Sequence, residues 1–247
     1  MSVTDILYVT VFIIRLFIAV ALGRYAIKTK GKNFWWLFGL YFTSASFGLA
    51  DHILKIGKIF PLSSGFRFVC MVLFIHYTFY LDRKNPTIYF ILISVITGIT
   101  IIIFNILYNF INPIEIYDNI VRITQMMGNF FIFSWLIYTS FQSFLLIRND
   151  DTIDDWVKMR YKLVLLYSFI GIFVAFAYAT LKSTEINFYI IFIFITSIFY
   201  QFIQLIAWVM PKFLRKYFNR HYIHDENSSK MNDELSEEDI IREMGGK

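Results

Sequence analysis

The sequence predicts an all-α integral membrane protein in which seven transmembrane helices form one bundle. Hydrophobic residues make up 57% of the 247 residues and aromatic residues 20%, which is more apolar surface than a soluble core of this size can bury. The apolar residues occur in runs of roughly 20, the length that an α-helix needs to cross the hydrocarbon core of a bilayer. These runs are continuous rather than alternating, which favours helices over the strands of a β-barrel.

Charged and helix-breaking residues between the apolar runs set the predicted helix boundaries. The start of the first run contains Asp5 and no lysine or arginine, so we expect a retained helix rather than a cleaved signal peptide. Pro211 ends the last run. Residues 1–210 are therefore expected to form one transmembrane domain. The predicted helices cover residues 6–27, 34–54, 64–81, 88–111, 124–147, 161–181 and 186–210.

Lysine and arginine residues collect on one side of the predicted spans. Fourteen lie near the ends that follow helices one, three, five and seven, whereas five lie on the other side. Positive residues are retained on the cytoplasmic side of a membrane. The sequence thus predicts a multi-pass protein of the cell membrane with its N-terminus outside and its C-terminus in the cytoplasm. The net charge of +5 is spread over helix ends, so no nucleic-acid partner is expected.

Several polar side chains lie within the predicted spans, where a charged group is costly and is a functional candidate. Arg15 lies near the middle of the first helix and must face the bundle interior or a water-filled cavity. It either contacts an anionic ligand or is paired within the protein. Other polar residues share a depth near the outer ends, which predicts an outward-facing pocket, unless they simply lie in interfacial water. The candidate ligand-binding residues are Arg15, Asp51, His52, Arg67, Gln125 and Asn129.

Amides and hydroxyls of the fifth and seventh helices, Gln201 and Gln204 among them, are expected to hold helices together. His52 and His76 lie at heights that differ by more than about 10 Å, so they cannot ligate one haem. A third ligand for zinc is missing at their depth. The chain contains no GxSxG, HExxH or P-loop motif. The sequence therefore predicts a protein without catalytic activity, cofactor or metal.

Three segments resemble the seven-helix sensory region found in front of some prokaryotic histidine kinases. They are residues 24–32 leading into Phe34-Trp35-Trp36, residues 77–84 at the end of the third helix, and the basic-then-apolar start of the sixth helix. The resemblance covers roughly residues 6–210 and contains no strict motif. It implies a receptor-like role in signal transduction without phosphotransfer, because no kinase domain follows. The topology also resembles that of microbial rhodopsins, but the seventh helix contains no lysine to hold retinal.

The segment after Pro211 changes from basic and aromatic to acidic and polar. Residues 211–222 predict a basic amphipathic helix on the membrane surface, with an ordinary snorkelling helix end as the alternative. Residues 223–247 predict a flexible cytoplasmic tail. A capping box at residues 236–239 opens a short helix that could dock on a cytoplasmic protein partner, and disorder is the alternative. The residues expected to face anionic lipid head groups are Lys212, Arg215, Lys216 and Arg220.

These features together predict a seven-helix sensor or scaffold that signals through a cytoplasmic partner. The alternative, from a different class, is a small transporter or channel with Arg15 on the path of an anionic solute. No repeat relates the first and last three helices, which weakens the transporter hypothesis.

Overall fold

The described part of the chain is 92% helical. The computed structural model describes residues 3–53, 60–80, 87–111, 113–180 and 188–219. Within these ranges there is no β-strand, so the predicted all-α fold class is confirmed. The helices are α1 (Val3–Thr29), α2 (Lys32–Ile53), α3 (Ser64–Phe79) preceded by a 3-10 turn (Phe60–Ser63), α4 (Thr87–Ile106) continued by a π-helical turn (Leu107–Ile111), α5 (Glu115–Ile147), α6 (Asp155–Thr180), α7 (Phe188–Val209) and α8 (Lys212–Phe218).

Six of these helices are long and apolar enough to cross a membrane, counting only the described residues. They are α1, α3 with its 3-10 turn, α4 with its π-helical turn, α5, α6 and α7. The 22-residue α2 is not among them, since its second half carries serines, a threonine, Asp51 and His52. The outer surfaces of the helices are apolar, as at Phe188, which is 84% exposed. Apolar helices of this length with apolar outer faces are typical of membrane proteins.

The helices pack in sequence order and close into a ring. Each of α1 to α6 contacts the next helix in the chain, α1 also packs against α7, and α3 contacts α5. A continuous apolar core that includes Leu37, Phe74 and Tyr167 runs through the bundle. Helices α3 and α4 approach each other closely, since a Cβ on Gly98 would lie 2.4 Å from Cα of Gly65. A crossing this close requires glycine on both helices. Small residues are common where helices meet in membranes.

Two helices begin earlier than the sequence predicts. Helix α5 begins at Glu115 rather than near residue 124, because Asp118 accepts a 2.7 Å hydrogen bond from Nε of Arg122 one turn later. The charged residues therefore continue the helix instead of ending it. Helix α6 begins at Asp155 rather than near residue 161, and an acidic residue in the first turn suits the helix dipole. Five other predicted boundary pairs agree with the structure to within about five residues.

Helix α8 docks on the bundle directly after Pro211. Its Leu214 and Phe218 pack against a cluster formed by the α5–α6 connection and the end of α7, with Trp156 and Met210 among its members. Phe213, on the opposite side of α8, is exposed. A helix is thus present over Lys212–Phe218, within the range of residues 211–222 predicted for the surface helix. The remainder of the tail, with the predicted docking helix near residue 236, lies outside the described residues.

Candidate functional site

A cavity of about 610 Å³ lies among the helices at the end of the bundle where α1, α3 and α5 begin. All seven long helices contribute to its walls, α4 through Asn105 and α6 through Gly171, Val174 and Ala175. The six candidate residues chosen from the sequence all line this one cavity: Arg15, Asp51, His52, Arg67, Gln125 and Asn129.

Arg15 lies at mid-depth in the cavity and is held from a neighbouring helix. Its Nη1 donates a 2.7 Å hydrogen bond to Oγ of Ser44 on α2. Its Cζ lies 5.3 Å from the centre of the Phe12 ring, within the range of a cation–π interaction. The expectation that this half-buried cation finds a polar partner on another helix is met by Ser44.

Arg67 projects into the cavity from the second turn of α3. Its Nη2 donates a 2.6 Å hydrogen bond to Oγ of Ser64, which also accepts one of 3.0 Å from Nε2 of Gln125. Its Cζ lies 4.3 Å from the centre of the Phe60 ring. Its Nε is buried and has no hydrogen-bond partner among the residues that the structure describes. Asn129 completes this wall by donating to the carbonyl of Gln125.

The two cavity arginines carry charge that no described carboxylate neutralises. Within the described ranges, neither Arg15 nor Arg67 has an acidic oxygen within ion-pair distance, and the two guanidinium groups are close enough to repel one another. Arg122, nearer the mouth, contrasts with them because its Nε lies 2.7 Å from Asp118. Unpaired cations are costly in a low-dielectric interior, so this pair marks the cavity as the candidate binding site.

Asp51 and His52 join α2 to its neighbours at the mouth of the cavity. Oδ2 of Asp51 accepts a 2.6 Å hydrogen bond from the backbone N–H of Phe60. Asp51 is only 7% exposed. The His52 ring stacks on Tyr8 of α1 with ring centres 4.8 Å apart, and its Nδ1 lies 3.7 Å from Asp5.

The floor of the cavity is formed by polar groups that the sequence did not single out as ligand contacts. The Tyr41 hydroxyl donates to Oε1 of Gln204. Nε2 of Gln201 donates a 3.2 Å hydrogen bond to Ser197, while its buried Oε1 has no partner in the part of the chain described. The signal that could have identified them is the presence of two amides in an otherwise apolar seventh helix.

The cavity stops at this floor. Beneath it lie fully buried apolar side chains, among them Leu37, Phe74 and Ile75. Trp208 of α7 packs edge-on against Phe74 and donates a 3.0 Å hydrogen bond to the Tyr167 hydroxyl. The polar lining is thus confined to one end of the bundle.

His76 lies near the opposite end of the bundle from His52. Its Nδ1 is 3.1 Å from Oγ1 of Thr87, so it is a hydrogen-bonded histidine at the end of α3. Over the described ranges, no cluster of three or more His, Cys, Asp or Glu side chains is arranged to hold a metal.

The basic residues of the α8 region divide into two groups. Lys212 and Lys216 are exposed, as expected for contact with lipid head groups. Arg215 instead donates hydrogen bonds to the carbonyl of Met210 at 2.9 Å and to the Tyr25 hydroxyl at 3.3 Å. Its guanidinium also lies 4.4 Å from the Trp156 ring, so it docks α8 on the bundle. Arg220 lies outside the described residues.

In comparisons with known proteins, no family model, no curated protein and no solved structure matches this chain. The function of the protein must therefore be inferred from the cavity and from the two ends of the bundle.

Proposed function

We propose that this protein is a seven-helix sensor of the cell membrane, which binds a small ligand from outside and signals through a partner in the cytoplasm. The observation that carries the proposal is the cavity open at one end, with two unpaired arginines held at mid-depth. Cavities of roughly 300–1,000 Å³ with a few convergent polar groups are typical of small-molecule sites. The sequence resemblance to prokaryotic sensory regions favours the same role.

The proposal treats α2 as a seventh transmembrane span. Its 22 residues extend over about 33 Å at ~1.5 Å per residue, enough to cross the hydrocarbon core. It packs between α1 and α3, and its Ser44, Asp51 and His52 line the cavity. A span whose polar side is buried in this way needs less overall hydropathy than its neighbours.

The distribution of basic residues supports an outward-facing cavity. Five lysine and arginine residues fall on the side of the N-terminus, yet Arg67 and Arg122 line the cavity. Apart from these two, this side therefore has three basic residues, Lys55, Lys58 and Lys182, whereas the other side has fourteen. With the larger set in the cytoplasm, the mouth of the cavity faces outside.

The closed floor favours binding over transport. A conducting or alternating path needs polar groups that continue to the opposite face. Here the polar lining gives way to fully buried apolar residues beneath Tyr41 and Gln204. A ligand that enters from the mouth therefore reaches a dead end at Gln201.

The opposite end of the bundle supplies a surface for output. Helix α6 lines the cavity with Val174 at one end and carries Trp156 at the other. The Trp156 ring contacts the guanidinium groups of Arg160 and Arg215, and its backbone N–H donates to Asn219 after α8. Movement of α6 on ligand binding would thus act directly on α8, next to the tail proposed to bind the cytoplasmic partner. Exposed bases on α8 fit anionic lipid at the same face.

Cysteine labelling tests the one-ended cavity without knowledge of the ligand. The native Cys70 is buried, so we expect the wild-type protein to resist a membrane-impermeant, charged thiol reagent. Asn129→Cys introduces a thiol on the cavity wall, and Ser168→Cys is the matched control because Ser168 is fully buried in α6. The expected result is labelling of the Asn129→Cys variant from outside intact cells and not in inverted vesicles.

Each other outcome decides against a part of the proposal. Equal labelling of the Asn129→Cys variant from both sides would indicate alternating access and favour the transporter. Labelling from the inner side alone would reverse the orientation. Resistance from both sides would mean that no ligand reaches the cavity, and the sensor proposal would fail.

A further inference from the structure

The formal charges around the cavity restrict the charge of its ligand. Among the described residues on its walls, the formally charged ones are three arginines and two aspartates, which gives a net charge of +1: Arg15, Arg67, Arg122, Asp51 and Asp118. A ligand with one negative charge would neutralise the site, whereas a dianion would leave an excess charge in a medium of low dielectric constant, which is costly. The charge balance favours a carboxylate over a phosphate.

The arginines have donors to spare for such a group. A guanidinium has five N–H donors, of which Arg15 uses one for Ser44 and Arg67 one for Ser64. Nε of Arg67 is buried without a partner among the described residues. A carboxylate near both side chains would accept charge-assisted hydrogen bonds and remove their mutual repulsion.

A second requirement comes from the floor. Oε1 of Gln201 lines the cavity, is in a side chain only 1% exposed, and has no hydrogen-bond partner within the described ranges. A buried acceptor left unpaired is costly, because it has lost its hydrogen bonds to water. A ligand hydroxyl or N–H would satisfy this oxygen, because a carbonyl oxygen can only accept.

The walls between these polar groups are apolar. Phe68 and Met71 of α3, Phe133 of α5 and Val174 of α6 face the same space. Small-molecule sites commonly combine such walls with a few fixed polar contacts. The body of the ligand is therefore apolar, aromatic or aliphatic.

From these features we infer that the cavity binds a small organic monocarboxylate whose apolar body carries a hydrogen-bond donor. The inference rests on the proposed function, since it names the ligand class of the same cavity. Arg15 and Arg67 hold the carboxylate, and Gln201 selects for the donor.

The test measures binding by isothermal titration calorimetry, with the purified full chain in phosphatidylcholine nanodiscs. The probes are para-hydroxyphenylacetate, phenylacetate, para-hydroxyphenylacetamide and inorganic phosphate, each at millimolar concentration. We expect para-hydroxyphenylacetate to bind at least about tenfold more tightly than its neutral amide, because hydrogen bonds to a charged group contribute about 1.5–3 kcal/mol. Phenylacetate, which lacks the donor, should bind about fivefold more weakly than the hydroxylated acid.

Variants assign the two parts of the recognition. Arg15→Gln and Arg67→Gln should each weaken carboxylate binding about tenfold and leave binding of the neutral amide unchanged. Gln201→Leu should abolish the preference for the hydroxylated acid over phenylacetate. Gln142→Leu is the matched control, because Gln142 is exposed on α5 and bonds to Tyr138 outside the cavity.

The results separate this inference from the proposal on which it rests. If the amide or phosphate binds as tightly as the acid, the monocarboxylate assignment is overturned while the ligand cavity stands. If the hydroxyl makes no difference, the role of Gln201 falls. If no probe binds, the inference is overturned, and labelling of the Asn129→Cys variant then decides alone whether the cavity is an outward-facing site.

Discussion

Arg15 and Arg67 are expected to lower the stability of the fold, because no carboxylate among the described residues neutralises their charges. Each is fixed by one serine hydroxyl and one aromatic ring rather than by a carboxylate. Arg122, at the mouth, has Asp118 as its partner. A buried charge that is hydrogen-bonded but not neutralised is less stable than a well-packed neutral side chain, and residues of this kind concentrate at functional sites.

Replacing Arg15 with glutamine tests this cost directly. Glutamine retains a donor for Ser44 but removes the charge and its repulsion with Arg67. We expect the ligand-free variant to unfold in detergent at the same temperature as the wild type or a few degrees higher, a gain of about 1 kcal/mol at most.

The control is Arg122→Gln, which breaks a partly exposed pair and should lower stability by less than about 1 kcal/mol. If Arg15→Gln lowers the unfolding temperature more than Arg122→Gln does, Arg15 is a structural residue and the unpaired-cation argument loses its basis.

Depth along a helix was enough to find the candidate residues but not their partners. Asp51, Arg67 and Gln125 could be placed near one level because each residue advances a helix by a fixed rise. Ser44 and Gln201 could not be assigned, since a hydroxyl or amide that lines a cavity has the same sequence pattern as one that joins two helices. The rotation of each helix, which only packing determines, decides between the two.

At the level of the elements, the crossing of α3 and α4 depends on two glycines. The backbones meet so closely at Gly65 and Gly98 that a methyl group on either would overlap main-chain atoms of the other. Main-chain atoms cannot rotate away as a side chain does, so the helices themselves would have to separate. Ser64, which holds Arg67 and Gln125, lies beside this crossing.

Gly98→Ala should therefore destabilise the protein by about 1–3 kcal/mol, as measured by thermal unfolding in detergent. Gly39→Ala is the matched control, because a Cβ there would make only ordinary contact with Sγ of Cys70 at 3.4 Å. That variant should be neutral or slightly more stable, since alanine is the better helix former. Equal stability of the two variants would show that the crossing is not tight.

Helix type was predictable from the apolar runs, but helix ends were less so where charges occur inside a helix. In the sequence, Asp118 and Arg122 suggest a polar loop. In the structure they form an ion pair within the first turns of α5. This local charge pair, which a hydropathy profile does not detect, allows the helix to begin nine residues before its predicted start.

Across the whole molecule, α8 docks on the end of the bundle opposite the cavity. Lys212 and Lys216 point away from the bundle, whereas Arg215 is bonded to the end of α7 and to α1. The three bases cannot be distinguished in the sequence, because their roles depend on where α8 docks.

Because these bases have two different roles, we expect their substitutions to have different effects. Lys212→Gln combined with Lys216→Gln should reduce the number of anionic phosphatidylglycerol molecules retained by the purified protein in native mass spectrometry, since each base contributes about 1 kcal/mol near an anionic surface. Its unfolding temperature should not change. Arg215→Gln should lower the unfolding temperature and retain the anionic lipid. Loss of lipid from the Arg215→Gln variant alone would reverse this assignment.

The packing of α1 against α7 has a consequence for how the protein is made. The first span emerges from the ribosome long before the last, yet the two are neighbours in the finished ring. A chain interrupted after α6 already contains Arg15 and Arg67 but lacks Ser197, Gln201 and Gln204, so its cavity has no floor. The cavity is therefore complete only after α7 has packed against α1.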